Sequence, residues 1–277
     1  MLTFNTDNMV RQNFAFPAPI MDYIFKNAQP EHLIKFYQCS KFFYNKFRRN
    51  IILNLEIVDD NEAEVLTPTK TVMCVSNPFL SKLTDCWITD SFIYRAFMPS
   101  KQIPVFTNCI FKKLELCQRI DWEEYEILTN SGTVEELKCK QYINAPDNIF
   151  SASVEDIIAQ VPNAKSIEIY ESIFTATTCA SLSSMKHKAN ISNFVLKNIT
   201  DFEFFHTRQF IGFFMKNANH DCNVYFDFEL FPGTNAIVHE ANEMLKKVGT
   251  KLCQDMKFFL EKKDILCKNR NKFHLFD

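Results

Sequence analysis

Short strand-like segments recur through the middle of the chain and constrain its fold more than any other feature. Each segment alternates apolar with polar residues, and such an alternation predicts a strand with one buried face. We align the segments on Leu114, Leu137, Ile167, Phe194 and Val224, which separates successive segments by 23, 30, 27 and 30 residues. The spacing therefore predicts a repeated structural unit.

Helical patterns lie between these strand-like segments. In residues 153–161, Ser153 is a suitable N-cap, Ile157 and Ile158 share an apolar face, and Pro162 ends the pattern. A strand and a helix every 20–30 residues or so is the period of leucine-rich-repeat solenoids, whose units stack because none can bury its own face. The strict leucine motif of that class is missing. Residues 51–277 are therefore predicted to form an irregular leucine-rich-repeat-like solenoid of strands and helices, an α+β or αβ-repeat fold, and the 29 Phe residues are suited to filling its irregular core.

Residues 14–50 have a different pattern, which predicts three short helices. Prolines precede a first helix in which Ile20, Tyr23, Ile24 and Ala28 share one face. A second helix starts at Pro30, and Ser40 is a suitable N-cap for a third. Three helices of this size bury little apolar surface alone, so we expect a partner or a neighbouring domain to complete them. We predict two domains, a helical module (residues 14–50) and a repeat domain (residues 51–277).

Composition argues against several functional classes. Four Gly residues leave little material for nucleotide-binding loops, which need Gly where the backbone approaches phosphate. The net charge of −2 does not indicate a nucleic-acid-binding surface. We interpret the basic clusters, Lys46–Arg49 and Lys246–Lys247, as solvated helix ends, with a phosphate contact as the alternative. No apolar stretch approaches the length of a membrane span. We expect no nucleic-acid or membrane partner.

The ten cysteines are predicted to be free thiols. The first residues do not form a signal peptide, so we expect a reducing compartment, the cytoplasm or the nucleus or both. No two cysteines have the C-x-x-C spacing of zinc sites. We therefore interpret the cysteines as small buried hydrophobic residues and predict neither a metal site nor a cofactor.

The sequence contains no recognisable catalytic constellation. Asp121, Glu123, Glu124 and Glu126 suit the exposed first turn of a helix better than a pair of catalytic carboxylates. A thiol enzyme that uses Cys222 with His220 or His206 is the weakest of our hypotheses, and we predict no catalytic residue.

The segment 14–47, with sequence FAFPAPIMDYIFKNAQPEHLIKFYQCSKFFYNKF, resembles an F-box. It has a Phe16–Pro17 opening, an apolar helix, a Leu33–Ile34 pair and a Ser40–Phe43 close. It departs from the family pattern at Ala18, where an acidic residue is usual, and at Phe43, where Trp is common. The whole chain resembles the expanded nematode F-box families, in which an F-box precedes irregular, Leu- and Phe-rich strand–helix repeats.

This resemblance implies a role in ubiquitin conjugation. F-box proteins bind a Skp-type adaptor and, through a cullin scaffold, present a target protein to a ubiquitin-charged enzyme, without catalysing the reaction themselves. The resemblance places adaptor contacts at Pro17, Ile20, Ile24, Leu33, Ile34 and Phe43. The alternative for these residues, especially Ile24 and Phe43, is that they pack inward. The alternative function is a protein-interaction scaffold with a vestigial F-box and no link to a ligase. The target protein and the face of the repeat domain that binds it are not specified by the sequence.

Overall fold

The structure is a computed structural model that describes residues 7–8, 16–97, 103–104, 106, 108–146, 150–199 and 204–228, together with helical residues between 238 and 255. It is a mixed α/β fold with parallel strands. The helices are α1 (Ala18–Asn27), α2 (Pro30–Cys39), α3 (Lys41–Lys46), a 3-10 helix (Pro78–Asp85), α4 (Trp122–Thr129), α5 (Val154–Ala159), α6 (Thr178–Ser184) and α7 (Thr207–Asn217). The strands are β1 (Asn50–Val58), β2 (Val65–Leu66), β3 (Thr71–Cys74), β4 (Cys86–Tyr94), β5 (Asn108–Cys109), β6 (Lys113–Leu116), β7 (Glu136–Cys139), β8 (Ser166–Ile169), β9 (Ile191–Ile199) and β10 (Ala218–Phe228).

The chain divides into two compact units. The N-terminal unit comprises Met1–Phe92 and Ala96–Phe111, and the C-terminal unit comprises Ile93–Arg95 and Lys112–Asp277. Near residue 50, where the sequence predicts a domain boundary, the chain passes from helix into strand within the N-terminal unit. The assignment of residues 14–50 and 51–277 as separate domains stays a prediction.

Three short helices open the N-terminal unit, at the positions that the sequence pattern predicts. The carbonyl oxygen of Pro17 accepts hydrogen bonds from the N–H groups of Ile20 and Met21 at 3.0 and 3.2 Å, which starts α1. Pro30 starts α2, where its fixed φ angle is suited to a first helical turn. The Ser40 side-chain oxygen accepts a hydrogen bond from the N–H of Phe42, so Ser40 is the N-cap of α3 as predicted.

The sheet of the N-terminal unit has the strand order β4-β1-β3-β2, with β5 paired to β4. Strands β1 and β3 are parallel, with Leu55 opposite Thr71, and β2 is antiparallel to β3. The helices pack against the start of this sheet, because Ile51 of β1 belongs to their apolar core. We call this core the helix core; its buried members are Met21, Phe25, Leu33, Tyr37, Tyr44 and Ile51.

The C-terminal unit contains the predicted repeat of parallel strands, in the order β6-β7-β8-β9-β10. Its register pairs Leu114 with Leu137, Leu137 with Ile167, Ile167 with Phe194, and Phe194 with Val224. These are the residues on which the sequence segments were aligned, so the alignment is confirmed residue by residue. Apolar residues at these positions are buried, while the residues between them are less buried on β6, β7 and β8.

Phenylalanine rings fill the core of the C-terminal unit between the last strands and α7. Phe210 of α7 is fully buried and lies 6.1 Å from the ring of Phe194 and 5.3 Å from that of Phe226, measured between ring centroids. Earlier in the unit, the Tyr125 hydroxyl donates a hydrogen bond to the carbonyl of Ile157 at 2.9 Å, which links α4 to α5. Within the described ranges, no helix has both the length and the apolar character needed to cross a membrane.

Candidate functional site

Helix α1 buries one side and exposes another apolar side. Met21 and Phe25 are buried in the helix core. Ile20 and Tyr23, spaced i and i+3 in α1, are 45% and 69% exposed, and Phe16, which precedes the helix, is 58% exposed. We call these three residues the α1 apolar patch. Residues three apart lie on the same side of a helix, so Ile20 and Tyr23 expose apolar surface on one side of α1. Exposed apolar surface of sufficient extent marks interaction sites.

The six residues predicted to contact an adaptor fall into two groups. Pro17 and Ile20 are exposed at the start of α1. Leu33 is completely buried, and Ile24, Ile34 and Phe43 are partly buried and pack against the helix core. The structure therefore brings the second group together inside the module. Ile24 and Phe43 thus pack inward, which is the alternative that the sequence analysis left open for them. That the six residues contact an adaptor stays a prediction.

The sequence pattern did not single out Phe16 and Tyr23 as exposed. It grouped Tyr23 with Ile24 and Ala28 on one helix face, whereas the most buried residues of α1 are Met21 and Phe25. The spacing of Met21 and Phe25, i and i+4, was the available signal for the buried side. The ring of Phe25 stacks on that of Phe47 at 4.0 Å between centroids, and this contact selects which side of α1 faces inward.

Tyr37 fixes the chain where it leaves α3. Its hydroxyl donates a hydrogen bond to the carbonyl of Phe47 at 2.8 Å and accepts one from the backbone N–H of Arg49 at 3.1 Å. Burial raises the pKa of the Tyr37 hydroxyl, and the hydrogen bond with Arg49 only partly opposes this rise. The neutral hydroxyl thus positions the segment between the last helix and β1.

The strand face of the C-terminal unit carries a row of paired charges. Lys138 forms an ion pair with Glu168 at 2.8 Å, and Lys140 forms one with Glu115, also at 2.8 Å. The hydrogen bond with Glu168 raises the pKa of Lys138. Burial raises the pKa of Glu115, but the hydrogen bond and charge of Lys140 outweigh burial and lower it overall. These cross-strand pairs keep the face polar and ordered.

Aromatic and amide side chains extend this face toward β10. The Lys197 ammonium lies over the rings of Tyr170 and Tyr225, at 4.8 and 5.3 Å from their centroids. Asn223 donates a hydrogen bond to Asn193 at 2.8 Å, and Asn193 donates one to Ser166 at 2.9 Å. The face therefore offers charged, aromatic and amide groups to a partner that approaches the strands.

Of the residues considered for chemistry, Cys222 and the acidic cluster at the start of α4 have surroundings that the structure describes, and the side chain of His220 lies outside the described residues. Burial raises the pKa of the Cys222 thiol to about 12, which is opposite to the depressed pKa that a nucleophilic thiol needs. The Asp121 N–H donates a hydrogen bond to the Glu124 carboxylate at 3.0 Å, as expected at the first turn of α4. Among the described residues, no group of three or more His, Cys, Asp or Glu side chains is arranged to hold a metal ion. Of the eight cysteines among the described residues, five are buried, as expected of small hydrophobic residues: Cys86, Cys109, Cys139, Cys179 and Cys222. The interpretation of the cysteines as buried is wrong for Cys39, which is exposed, and for Cys74 and Cys117, which are partly buried. Cys253 and Cys267 lie outside the described residues.

Comparisons with family models, curated proteins and solved structures find no significant match to this chain. The function is therefore argued from the surfaces described above.

Proposed function

We propose that this chain is the substrate-recruiting F-box subunit of a Skp-cullin-F-box E3 ubiquitin ligase. The three N-terminal helices would bind a Skp-type adaptor, and through it the cullin scaffold. The strand–helix region, which we interpret as an irregular leucine-rich-repeat-like solenoid, would bind the target protein. The chain contributes two binding surfaces and needs no cofactor.

One observation carries this proposal: a short three-helix segment with an F-box-like sequence leaves an apolar patch uncovered. Phe16, Ile20 and Tyr23 point away from the helix core, although the same helices already pack against β1. Burying three such side chains fully would contribute about 3–6 kcal/mol before association costs, because part of each is already covered. A helical partner that covers the α1 apolar patch would supply this burial.

The role of the helix core in this proposal is to hold the patch in place. Leu33, Ile24, Ile34 and Phe43 pack together around α1, so they determine its orientation. The direct contacts would then come from Pro17 and Ile20, joined by Phe16 and Tyr23. Leu33 has no exposed surface, so its substitution would act through the fold of the module rather than through a lost contact.

Target binding is assigned to the strand face of the C-terminal unit. Parallel strands in a continuous register present side chains in rows, and repeat proteins use such extended surfaces to bind other proteins. The Lys138–Glu168 and Lys140–Glu115 pairs place charges of both signs on this face. A target of mixed charge with aromatic or amide contacts would complement it.

The test is capture of a purified Skp-type adaptor by the full chain. We expect the wild-type chain to bind, and Ile20→Asp and Tyr23→Asp each to weaken binding tenfold or more, roughly the effect of losing an interface hot spot. Leu66→Asp and Phe79→Asp are matched controls, because both residues are exposed hydrophobic residues of the N-terminal unit outside α1. These controls should bind as the wild type does. Binding that survives Ile20→Asp and Tyr23→Asp combined would exclude the α1 apolar patch as the adaptor site.

The alternative is a protein-interaction scaffold whose F-box is vestigial. Ala18 at the position of a usual acidic residue and Phe43 at the position of a common Trp favour this alternative. The same capture experiment separates the two functions, because a scaffold with a vestigial F-box would not capture the purified adaptor.

A further inference from the structure

A pocket of about 430 Å³ opens beside the first and third helices. Its charged lining residues are Asp22 and Lys26 of α1, Lys46 of α3, and Arg48 and Arg49 of the segment that follows. Its apolar wall is formed by the stacked rings of Phe25 and Phe47. We call this the basic pocket.

The basic pocket concentrates positive charge in a chain that is negative overall. Four cationic side chains face a single carboxylate, that of Asp22, while the whole chain has a net charge of −2. None of the four cations forms an ion pair with a described carboxylate. Lys138 and Lys140 of the strand face, by contrast, each form an ion pair. Among the described residues, the pocket therefore has more positive than negative charge.

Aromatic rings position three of these cations. The Lys46 ammonium lies 5.0 Å from the centroid of Phe47, and the guanidinium of Arg48 lies 5.6 Å from that of Tyr44. The guanidinium of Arg49 lies 5.5 Å from the Trp87 ring. A ring face attracts a cation only weakly at an exposed site, so it limits the position of the charge without satisfying its donors.

Helix dipoles account for only part of the cluster. Lys26 and Lys46 lie in the last turns of α1 and α3, where a cation is favourable next to the free carbonyl groups. Arg48 and Arg49 lie beyond the end of α3, where this effect has fallen off. Their convergence with Lys26, which is distant in sequence, is a product of the fold.

We propose that the basic pocket binds a phosphate group of a small ligand or of a phosphorylated partner residue. Two guanidinium groups can each donate two parallel hydrogen bonds to phosphate oxygens, and two ammonium groups add point charges. The excess of three positive charges over Asp22 matches a multiply charged phosphate better than a single carboxylate. This site is independent of the proposed ligase function, because it needs neither the adaptor nor the α1 apolar patch.

The experiment is calorimetric titration of the purified full chain with pyrophosphate at low ionic strength. We expect saturable binding with one site, tighter than that of citrate, a tricarboxylate of comparable charge. Lys26→Gln and Arg48→Gln should each weaken pyrophosphate binding, by roughly 10- to 100-fold where a charge-assisted hydrogen bond is lost. Arg48→Lys keeps the charge but loses the planar fork, so it should fall between Arg48→Gln and the wild type.

Matched controls lie outside the basic pocket. Lys35→Gln changes an exposed lysine of α2, and Arg119→Gln changes an arginine whose guanidinium lies 5.3 Å from the Tyr142 ring. Both should bind pyrophosphate as the wild type does. Circular dichroism melting of Lys26→Gln tests its folding directly, and its exposed side chain makes unfolding unexpected.

A second titration, with a phosphoserine peptide and its unphosphorylated form, distinguishes the two sources of phosphate. Tighter binding of the phosphopeptide than of pyrophosphate assigns the pocket to a modified partner residue, and the reverse order assigns it to a small phosphorylated ligand. The proposal is overturned if the wild type binds none of these phosphates, if citrate binds as tightly as pyrophosphate, or if folded Lys26→Gln and Arg48→Gln bind like the controls.

Discussion

Replacing Tyr37 by Phe tests how the segment after α3 is held. The substitution removes one oxygen atom and keeps the ring, which packs against Tyr44 at 5.4 Å between centroids. It therefore deletes the two hydrogen bonds that the hydroxyl makes with Phe47 and Arg49 while leaving the helix core filled.

The expected loss of stability follows from these two hydrogen bonds. A hydrogen bond within a protein contributes a net ~0.5–1.5 kcal/mol, so losing two costs about 1–3 kcal/mol. The cost falls toward the lower end if water reaches the carbonyl of Phe47 and the N–H of Arg49, since both residues are less buried than Tyr37. Tyr23→Phe is the matched control, because the Tyr23 side chain is exposed and such surface changes are usually within about 0.5 kcal/mol.

Urea unfolding followed by tryptophan fluorescence measures this loss. Trp87 packs against the helix core, and a Trp122→Phe background leaves it as the only tryptophan of the chain. An unchanged unfolding midpoint in Tyr37→Phe would refute the structural role of the hydroxyl. So would a loss of the same size in Tyr23→Phe.

The pH dependence of the same variant checks the reasoning independently. Burial raises the pKa of Tyr37 above its ordinary value of 10.0, so the unfolded chain releases this proton before the folded chain does. The stability contributed by the neutral hydroxyl is complete below pH 10.0 and is lost as the pH rises through the raised pKa. The advantage of the wild type over Tyr37→Phe should therefore shrink above pH 10.0.

Three further predictions concern the C-terminal unit and the cysteines. Phe210→Ala should cost about 3–5 kcal/mol in urea unfolding, because Phe210 is fully buried among other rings; a cost below about 1 kcal/mol would contradict this packing. A thiol-directed reagent should modify exposed Cys39 in the native chain and Cys139 only after unfolding, since burial raises the pKa of Cys139 to about 12. Peptide mass mapping shows which cysteine is modified first, and equal modification rates for the two in the native chain would contradict the prediction. Burial lowers the pKa of His187, so the stability that the neutral imidazole contributes is present above pH 6.5 and is lost as the pH falls through the lowered pKa. His187→Gln should reduce this loss of stability in acid unfolding curves, and an unchanged pH dependence would contradict the prediction.

The strand repeat of the C-terminal unit was predictable because its signal is local and repeated. Strands β6, β7 and β8 alternate buried and less buried residues, and a shift of one residue would turn their apolar side chains to the opposite face. Aligning Leu114 with Leu137 and its successors therefore fixed the register as well as the positions of the strands. Helix α6 (Thr178–Ser184) had no comparable signal, because its small polar residues form no apolar stripe and its burial depends on Cys179 and Leu182.

Periodicity alone did not decide which side of α1 faces inward, because the i, i+4 pair of Met21 and Phe25 competes with the equally spaced pair of Ile20 and Ile24. Five of the six residues from Ile20 to Phe25 are apolar or aromatic, so an apolar stripe can be drawn along several sides of the helix. The stacking of Phe25 on Phe47, which are far apart in sequence, decides between them. The basic pocket was beyond prediction for the same reason. The sequence showed Lys46, Arg48 and Arg49 as a cluster, but only the packing of the helices adds Lys26.

Helix α1 presents a different chemistry on each of three sides. Residues four apart lie on one side of a helix, so Met21 and Phe25 face the core together, and Asp22 and Lys26 border the basic pocket together. The α1 apolar patch occupies the remaining side. Phe25 belongs both to the helix core and to the pocket wall. The contact between the rings of Phe25 and Phe47 therefore orients α1 and also forms part of the pocket. A substitution of Phe25 would therefore alter both surfaces at once, whereas the exposed residues Tyr23 and Lys26 each report on one surface alone.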